Sequence, residues 1–285
     1  MCSMPGYGLT GPYSEYPAFG STAESISGIN SMIGYDLDEP LQTGLSYADP
    51  ISGLNSVSLV MAMLRKRMLT GQGSYVELAL ADSPIGTLGE FFVAASAGTG
   101  NTSIMSNKHE YFSPHGVYRT RGEDKWIALA VETDEEWSRL VSMIGDERLK
   151  SPFFKHIADR KRREEFIDYC ISDWAIRMER DDAMKLLQAN HISAGAVLNN
   201  LELLENEHLN DRNFFTHLTE KVYGDQKYDG QSIPGHKKSP NGWFPMKEIG
   251  ESTDEILNCL LGKKYDETET YYQQNRTLVD NEKSN

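Results

Sequence analysis

Basic side chains are missing from the first 64 residues, and Arg65 is the first Lys or Arg in the chain. An anionic ligand held by that segment has only backbone N–H groups and helix N-termini to meet it, unless cations arrive from elsewhere in the assembly. Cysteine is scarce: Cys2, Cys170 and Cys259 are far apart and odd in number, which fits neither a disulfide framework nor a Cys-rich zinc site and predicts reduced thiols. Long hydrophobic runs are absent as well. Stretches such as Glu90–Ala97 and Trp126–Val131 fall far below the roughly 20 residues of a bilayer span, so neither a transmembrane helix nor a membrane partner is expected. Met1–Tyr13 has neither the basic start nor the apolar run of a secretory signal, which leaves a cytoplasmic location as the expectation. The histidines make no metal-binding spacing, and Gly71-Gln72-Gly73 lacks the further glycine and the lysine of a phosphate loop, so no metal is expected.

What is present describes a globular chain. Its 285 residues suffice for one large domain or two modest ones, and a hydrophobic content of 39% supports a buried core. The net charge of -14 disfavours nucleic acid as a partner, because such binding neutralises phosphates with Lys and Arg.

Along the chain, Met4–Tyr13 is rich in Gly and Pro and reads as an irregular loop. Ser21 to Glu24 has capping-box spacing, and Ile26, Ile29 and Ile33 continue at helical intervals to Gly34. A second helix is marked by Asp49 as cap, Pro50 at its first position, and an apolar stripe of Ile51, Leu54, Val57, Met61, Leu64 and Met68. Thr70-Gly71-Gln72-Gly73 stops it, Ser74–Leu80 reads as a strand, and Asp82-Ser83-Pro84 opens a helix running through Phe92. After a polar segment, 100–107, come strands at Gly116–Thr120 and Lys125–Val131, then a helix with a capping box at Thr133 and Glu136 and a stop at Gly145. Helices over Asp159–Arg177 and Asp181–Ala189 and a strand at Ile192–Val197 complete a smaller mixed domain. Short strands within Asn213–Ser239 with a turn at Tyr228-Asp229-Gly230, a helix over Glu251–Leu261 and a frayed acidic end after Val279 follow.

Read on residue type alone, Asp49 is a helix cap, Glu24 the third residue of a capping box, His115 a surface or loop residue, and Tyr16-Pro17-Ala18-Phe19 an aromatic loop. Their order and surroundings add something further. Gly6-Tyr7-Gly8, Thr10-Gly11-Pro12-Tyr13, Pro17-Ala18-Phe19 and Ser27-Gly28 precede Tyr47-Ala48-Asp49-Pro50-Ile51-Ser52-Gly53. Arg67, Thr70–Gly73, Val76-Glu77-Leu78 and Ala81-Asp82 come after it, and later stand Gly116-Val117-Tyr118-Arg119, Asp134–Trp137 and Ile249–Thr253. This series resembles the class III coenzyme A transferases, the CaiB/BaiF family, over nearly the whole chain.

The resemblance implies an α/β fold: the C-terminal part of a Rossmann-like large domain over 1–100, a smaller α+β domain over 101–210, and a C-terminal segment, 211–285, returning to the large domain. It implies that Asp49 is the nucleophile, that Tyr16, Pro17, Ala18 and Phe19 touch coenzyme A, and that acyl-CoA and a small carboxylic acid are the substrates, with no permanently held cofactor. A carboxylate needs no general base to become a nucleophile near neutral pH, which suits that role. The shielding glycine-rich loop of the family would fall near His109–Ser113, where there is no glycine run. The racemase branch would place a proton-transferring histidine at Phe19, and phenylalanine cannot move that proton. Relatives are longer and begin with a segment supplying most of a parallel sheet, so helices meant to cover that sheet are expected to expose apolar faces. The expected partners are therefore a second copy, as an interlocked homodimer when complete, or a complementary N-terminal chain. The alternative reading is a non-catalytic fragment or subunit.

Overall fold

A computed structural model describes residues 1–36, 39–98, 104, 106–230 and 243–261. Much of the polar segment 100–107, residues 231–239 of the strand-rich stretch and the acidic end after Val279 lie outside the described residues. The chain forms two compact units, Met1–Val197 and Leu198–Asn285. Among the described residues, no helix is long and apolar enough to cross a membrane.

In the first unit the opening residues run parallel to a later strand. β1 (Cys2–Ser3) pairs with β4 (Val76–Glu77), and the ladder continues through the N–H of Leu80 to the carbonyl of Pro5 (2.9 Å) and that of Ala81 to Gly6 (3.1 Å). Between them lie α1 (Gly20–Ser27), a short antiparallel pair of β2 (Gly34–Asp36) and β3 (Glu39–Pro40), and the long α2 (Ala48–Thr70). Then come α3 (Asp82–Ile85) and α4 (Gly89–Ser96), separated by a 3-10 turn. A parallel pair joined through helices is the α/β arrangement expected. Of the strand predicted over Ser74–Leu80, only Val76–Glu77 is regular, although Leu78 and Leu80 still donate to the opening segment. The helix predicted from Asp82 through Phe92 is broken at Gly86–Leu88.

The packing of these helices is close and thin. Ala23, Ala48 and Ala81 form the buried cluster at their crossing, with Tyr7 and Leu80 against it. Small side chains let α1 and α2 approach, but they bury little area.

Residues 115–197 are built differently. β5 (His115–Arg119), β6 (Trp126–Ala130) and β7 (Ser193–Val197) make an antiparallel sheet in the order β5-β6-β7. Alternation along β6 puts Ile127 and Leu129 inward. They meet Leu140 and Trp137 of α5 (Asp134–Ile144), Ile167 and Ile171 of α7 (Glu164–Ala175), and Leu187 of α8 (Arg180–Ala189). α5 begins as its sequence predicts: Glu136 N–H donates to Thr133 Oγ1 (3.2 Å), Thr133 N–H donates back to Glu136 Oε2 (3.3 Å), and Gly145 ends the helix at φ +72°.

The helix predicted over Asp159–Arg177 is two helices, α6 (Ile157–Arg162) and α7, parted at Arg163. α6 carries Arg160 fully into the interior. There its guanidinium donates to Ser113 O (2.8 Å), Lys155 O (2.9 Å) and Asp134 Oδ1 (2.8 Å) and lies over the Trp137 ring. A buried cation needs such a set of acceptors.

The second unit holds α9 (Asn200–Glu205), α10 (Glu207–Asp211), a hairpin of β8 (Phe215–Glu220) and β9 (Gly224–Asp229), and α11 (Thr253–Leu261). The turn expected at Tyr228-Asp229-Gly230 is corrected: Tyr228 and Asp229 are ladder residues opposite Thr216 and Phe215, and the hairpin turns at Lys221–Tyr223.

Candidate active site

The site grows from the way two helices begin. α1 starts after Phe19, whose N–H donates to Thr22 Oγ1 (2.9 Å) while the Thr22 hydroxyl donates to Phe19 O (2.9 Å). This corrects the expected cap at Ser21, which lies inside the helix. The N–H groups of Gly20 and Ser21 find no partner among the described residues, so the positive end of α1 is open to an anion. Gly20 is buried, and the Asp49 carboxylate lies against it: a β-carbon at Gly20 would stand 2.7 Å from Asp49 Cγ and 2.6 Å from Ser46 Cβ.

Asp49 is not the cap of α2 that its sequence position predicts. Tyr47 takes the capping position, the helix begins at Ala48, and Asp49 is its second residue. The shift follows from the turn before it: Ser46 adopts φ +47°, and Asp49 N–H donates to Ser46 O at 2.9 Å, winding the chain earlier than expected. The Asp49 side chain is exposed and accepts no hydrogen bond from the described residues. A carboxylate relieved of capping is left beside the N-terminus of another helix.

The four residues expected to touch coenzyme A lead directly into this place. Phe19 precedes Gly20 and is 76% exposed, Tyr16 is 58% exposed, and Pro17 is exposed. Ala18 is half-buried, and a side chain at Gly6 would run into its methyl group. Tyr16 stacks on Tyr13, with ring centroids 5.2 Å apart. Asp49 and Phe19 thus flank one buried glycine, with an exposed aromatic rim on one side. No cation stands near by sequence: Arg65 follows Asp49 by sixteen helical residues, about 24 Å along α2.

The sequence predicts a capping-box role for Glu24, and the structure gives it another task. Glu24 is fully buried, its Oε1 accepts from Thr43 Oγ1 (2.8 Å) and from the Tyr47 N–H, and its Oε2 is buried without a donor. A signal for it stood in the sequence: Glu24 is the only charged side chain between Glu15 and Asp36. Gly20 carried no such signal.

Among the described residues no group of three His, Cys, Asp or Glu side chains converges as a metal site. A cavity of about 400 Å³ lies away from Asp49, over the outer face of β5-β6-β7, lined by Lys108, His115, Ala128 and Gly195 among others. Asp49 does not line that cavity and is itself exposed. Near the cavity, His115 Nδ1 lies 2.8 Å from Asn107 O, and Lys161 Nζ donates to His109 O (2.7 Å) and Glu164 Oε1 (2.8 Å). Behind the sheet, the Tyr118 hydroxyl donates to Asp168 Oδ1 at 2.7 Å. Burial first, and then the neighbouring Asp168 carboxylate, push the Tyr118 pKa far up. Burial likewise raises that of Asp168 against the Tyr118 hydrogen bond.

A family model described as CoA-transferase family III matches residues 1–243. The chain belongs to that family. Among curated family III relatives, it is 26% identical over 272 residues to the succinyl-CoA–L-malate CoA-transferase beta subunit of Chloroflexus aurantiacus, covering 92% of this chain and 65% of that one. It is 25% identical over 266 residues to the succinate–glutarate CoA-transferase of Agrobacterium fabrum, covering 90% of this chain and 64% of the relative. The family III chain described here therefore spans slightly less than two thirds of the length of those relatives. Among solved structures, a CaiB/BaiF family protein from Brucella suis shares the fold with a TM-score of 0.64 at 24% identity, over 76% of this chain and 57% of that one.

Proposed function

We propose that this family III chain carries the nucleophile of a coenzyme A transferase, and that Asp49 is that nucleophile. The observation that carries the reading is the exposed Asp49 carboxylate lying against the open first turn of α1, with the Tyr16–Phe19 rim leading into it. The relatives whose names specify succinyl-CoA–malate and succinate–glutarate exchange support the same substrate class, acyl-CoA and a small carboxylic acid.

In this reading a carboxylate oxygen of Asp49 attacks the thioester carbonyl. The carbon–sulfur bond breaks, coenzyme A leaves as thiolate, and an acyl–aspartyl anhydride remains. The thiolate attacks the aspartyl carbonyl of the anhydride, forming an aspartyl–CoA thioester and releasing the donor acid as carboxylate. The acceptor carboxylate attacks that thioester and expels the thiolate. The thiolate then takes the new acyl group, restoring the Asp49 carboxylate. In this reading the N–H groups of Gly20 and Ser21, at the start of the helix against which Asp49 lies, stabilise the negative oxygen that builds up at each attack. Tyr16, Pro17, Ala18 and Phe19 contact coenzyme A, and its phosphates are neutralised by groups other than residues 1–64, which hold no Lys or Arg. The working assembly is a homodimer or includes a complementary N-terminal chain, and the relatives named as alpha and beta subunits are in keeping with a partner.

The test is chemical trapping. Incubation with acyl-CoA, reduction with borohydride and peptide mapping are expected to place the modification on Asp49. Equal modification in Asp49→Ala would remove it from the mechanism.

A further inference from the structure

α1 presents two residues of one face to the segment that leads into α2. Gly20 and Glu24 are four apart and so stand one above the other, a turn apart on the helix. Gly20 meets Ser46 and the Asp49 carboxylate, while Glu24 reaches Thr43 and Tyr47. The turn they grip is not one the chain adopts readily. Gly44 has φ +76° and Ser46, with a side chain, has φ +47°, a left-handed conformation that surrounding contacts must hold in place.

Every helix start leaves N–H groups in need of an acceptor, and a side chain of the same segment ordinarily supplies it. At α2 no such side chain does so, and the Tyr47 N–H is satisfied from outside, by Glu24. That substitution has a consequence for the site: Asp49, the acidic residue in the first turn of α2, keeps its carboxylate free of the backbone. The Glu24 side chain is fully buried, and no Lys or Arg stands within the first 64 residues to pair with it. A buried carboxylate in that position is costly unless its hydrogen bonds are worth keeping.

We infer that Glu24 is a positioning residue for Asp49: its buried carboxylate ties the Thr43–Tyr47 turn to α1, caps α2 in place of Asp49, and leaves the Asp49 side chain against Gly20, free to react. The last clause rests on the reading of Asp49 as nucleophile; the tie itself does not.

The experiment compares the full chain with Glu24→Ala, Glu24→Gln and Thr43→Val, and uses Asp49→Ala as the blank. Three quantities are read: amide hydrogen exchange over residues 43–52, the rate at which a carbodiimide and an amine modify Asp49, and the rate of the acyl-CoA adduct at Asp49. Glu24→Ala is expected to speed exchange over 43–52 by about tenfold, the effect of losing the acceptor of two donors, without changing exchange over 115–197. It is expected to lower the saturating adduct rate by roughly 100-fold, the scale of a displacement near 1 Å, with little change in the half-saturating acyl-CoA concentration. Glu24→Gln keeps a carbonyl oxygen for both donors and is expected to stay within about threefold of the parent.

Faster exchange with an unchanged adduct rate would reduce Glu24 to a structural residue, and no change in either would dismiss the tie. A Glu24→Gln variant as impaired as Glu24→Ala would refute the acceptor role. Should the parent chain form no adduct, the nucleophile reading falls, and the carbodiimide rate at Asp49, which Glu24→Ala must alter, decides the positioning alone. If Glu24→Ala fails to fold, Thr43→Val removes one donor and carries the same comparison with a smaller shift.

Discussion

Two regions of the first unit solve the problem of burial in opposite ways. Residues 115–197 enclose Ile127, Leu140, Ile167, Ile171 and Leu187, each at 1% exposure or less, around one sheet. Among the described residues, 1–98 bury four alanines and Leu88 as their apolar core, and the apolar stripe of α2 stands open, with Leu54 72%, Met61 64% and Met68 87% exposed. The first region can hold itself together by the hydrophobic effect, whereas the second is held by close small-residue contacts and by hydrogen bonds such as those of Glu24. The candidate chemistry sits in the second. A reactive carboxylate needs an open face, and a tightly enclosed core of the first kind would have covered it.

The sharpest way to test this contrast is to cut into the enclosed core. Leu140→Ala is expected to destabilise residues 115–197 by about 2–5 kcal/mol, through lost burial and the cavity left behind. Three of the four tryptophans, Trp126, Trp137 and Trp174, lie in that region and none lies in 1–98, so tryptophan fluorescence in a urea titration follows it selectively. A loss below about 1 kcal/mol would mean that this core relaxes around a void and is less tightly packed than its burial implies.

A smaller effect on stability, with a larger one on chemistry, is expected from Gly20→Ala. The added methyl would overlap Ser46 and the Asp49 carboxyl, so one of them has to move. Overpacking of this kind costs about 1–3 kcal/mol. The Asp49 adduct with acyl-CoA is expected to form about 100-fold more slowly. A variant that reacts at the parent rate would show that Asp49 works from a position away from α1.

These particulars also mark what the sequence could reveal. Thr133, Glu136 and Gly145 announced the ends of α5, because caps and stops are local chemistry and the chain ahead of them is ordinary. The alternation of β6 and the spacing along α2 likewise revealed two elements. They did not reveal whether a partner surface exists, since periodicity names the face a helix would bury and not what it meets; the α2 stripe is legible and uncovered. Asp49 was legible as a position through its flanking residues. Its geometry was not, because the left-handed Ser46 turn winds α2 earlier than the cap signal predicts, and the Tyr47 N–H beside that turn meets Glu24, twenty-three positions earlier, through a contact that only folding creates. The burial of Arg160 was hidden for a similar reason: it looks like a surface cation until its acceptors from three separate segments are assembled.

Polar burial gives a pH test confined to the enclosed region. The folded-state pKa of Asp168 is raised, mainly by burial and further by Glu164, against the lowering by Tyr118, Lys108 and Lys161. The folded protein therefore binds the proton more tightly than the unfolded chain. Stability is lost as pH rises from the unfolded carboxylate value of about 3.9 through the folded one, and the deficit persists above it. Asp168→Asn retains an oxygen for the Tyr118 hydroxyl and removes that deficit. Its melting temperature relative to the parent is expected to climb between about pH 4 and pH 7. A difference that narrows instead would mean that Lys108 and Lys161 stabilise the ion more than burial penalises it.

The smallest expected effect lies on the open face of α2. Leu54→Ala and Met68→Ala remove side chains that are 72% and 87% exposed, so little apolar area returns to water. Each is expected to shift the unfolding free energy by no more than about 0.5 kcal/mol, as for other surface changes. Both replacements also favour the helix or leave its propensity nearly unchanged, which removes a competing cause of loss. The two regions would then differ severalfold in their response to the same truncation of an aliphatic side chain. A loss comparable to that of Leu140→Ala would break the contrast, because a side chain cannot stabilise by burial unless something covers it. The stripe would then be an interior surface of the protein in solution, and the concentration dependence of the loss would tell whether a second copy does the covering.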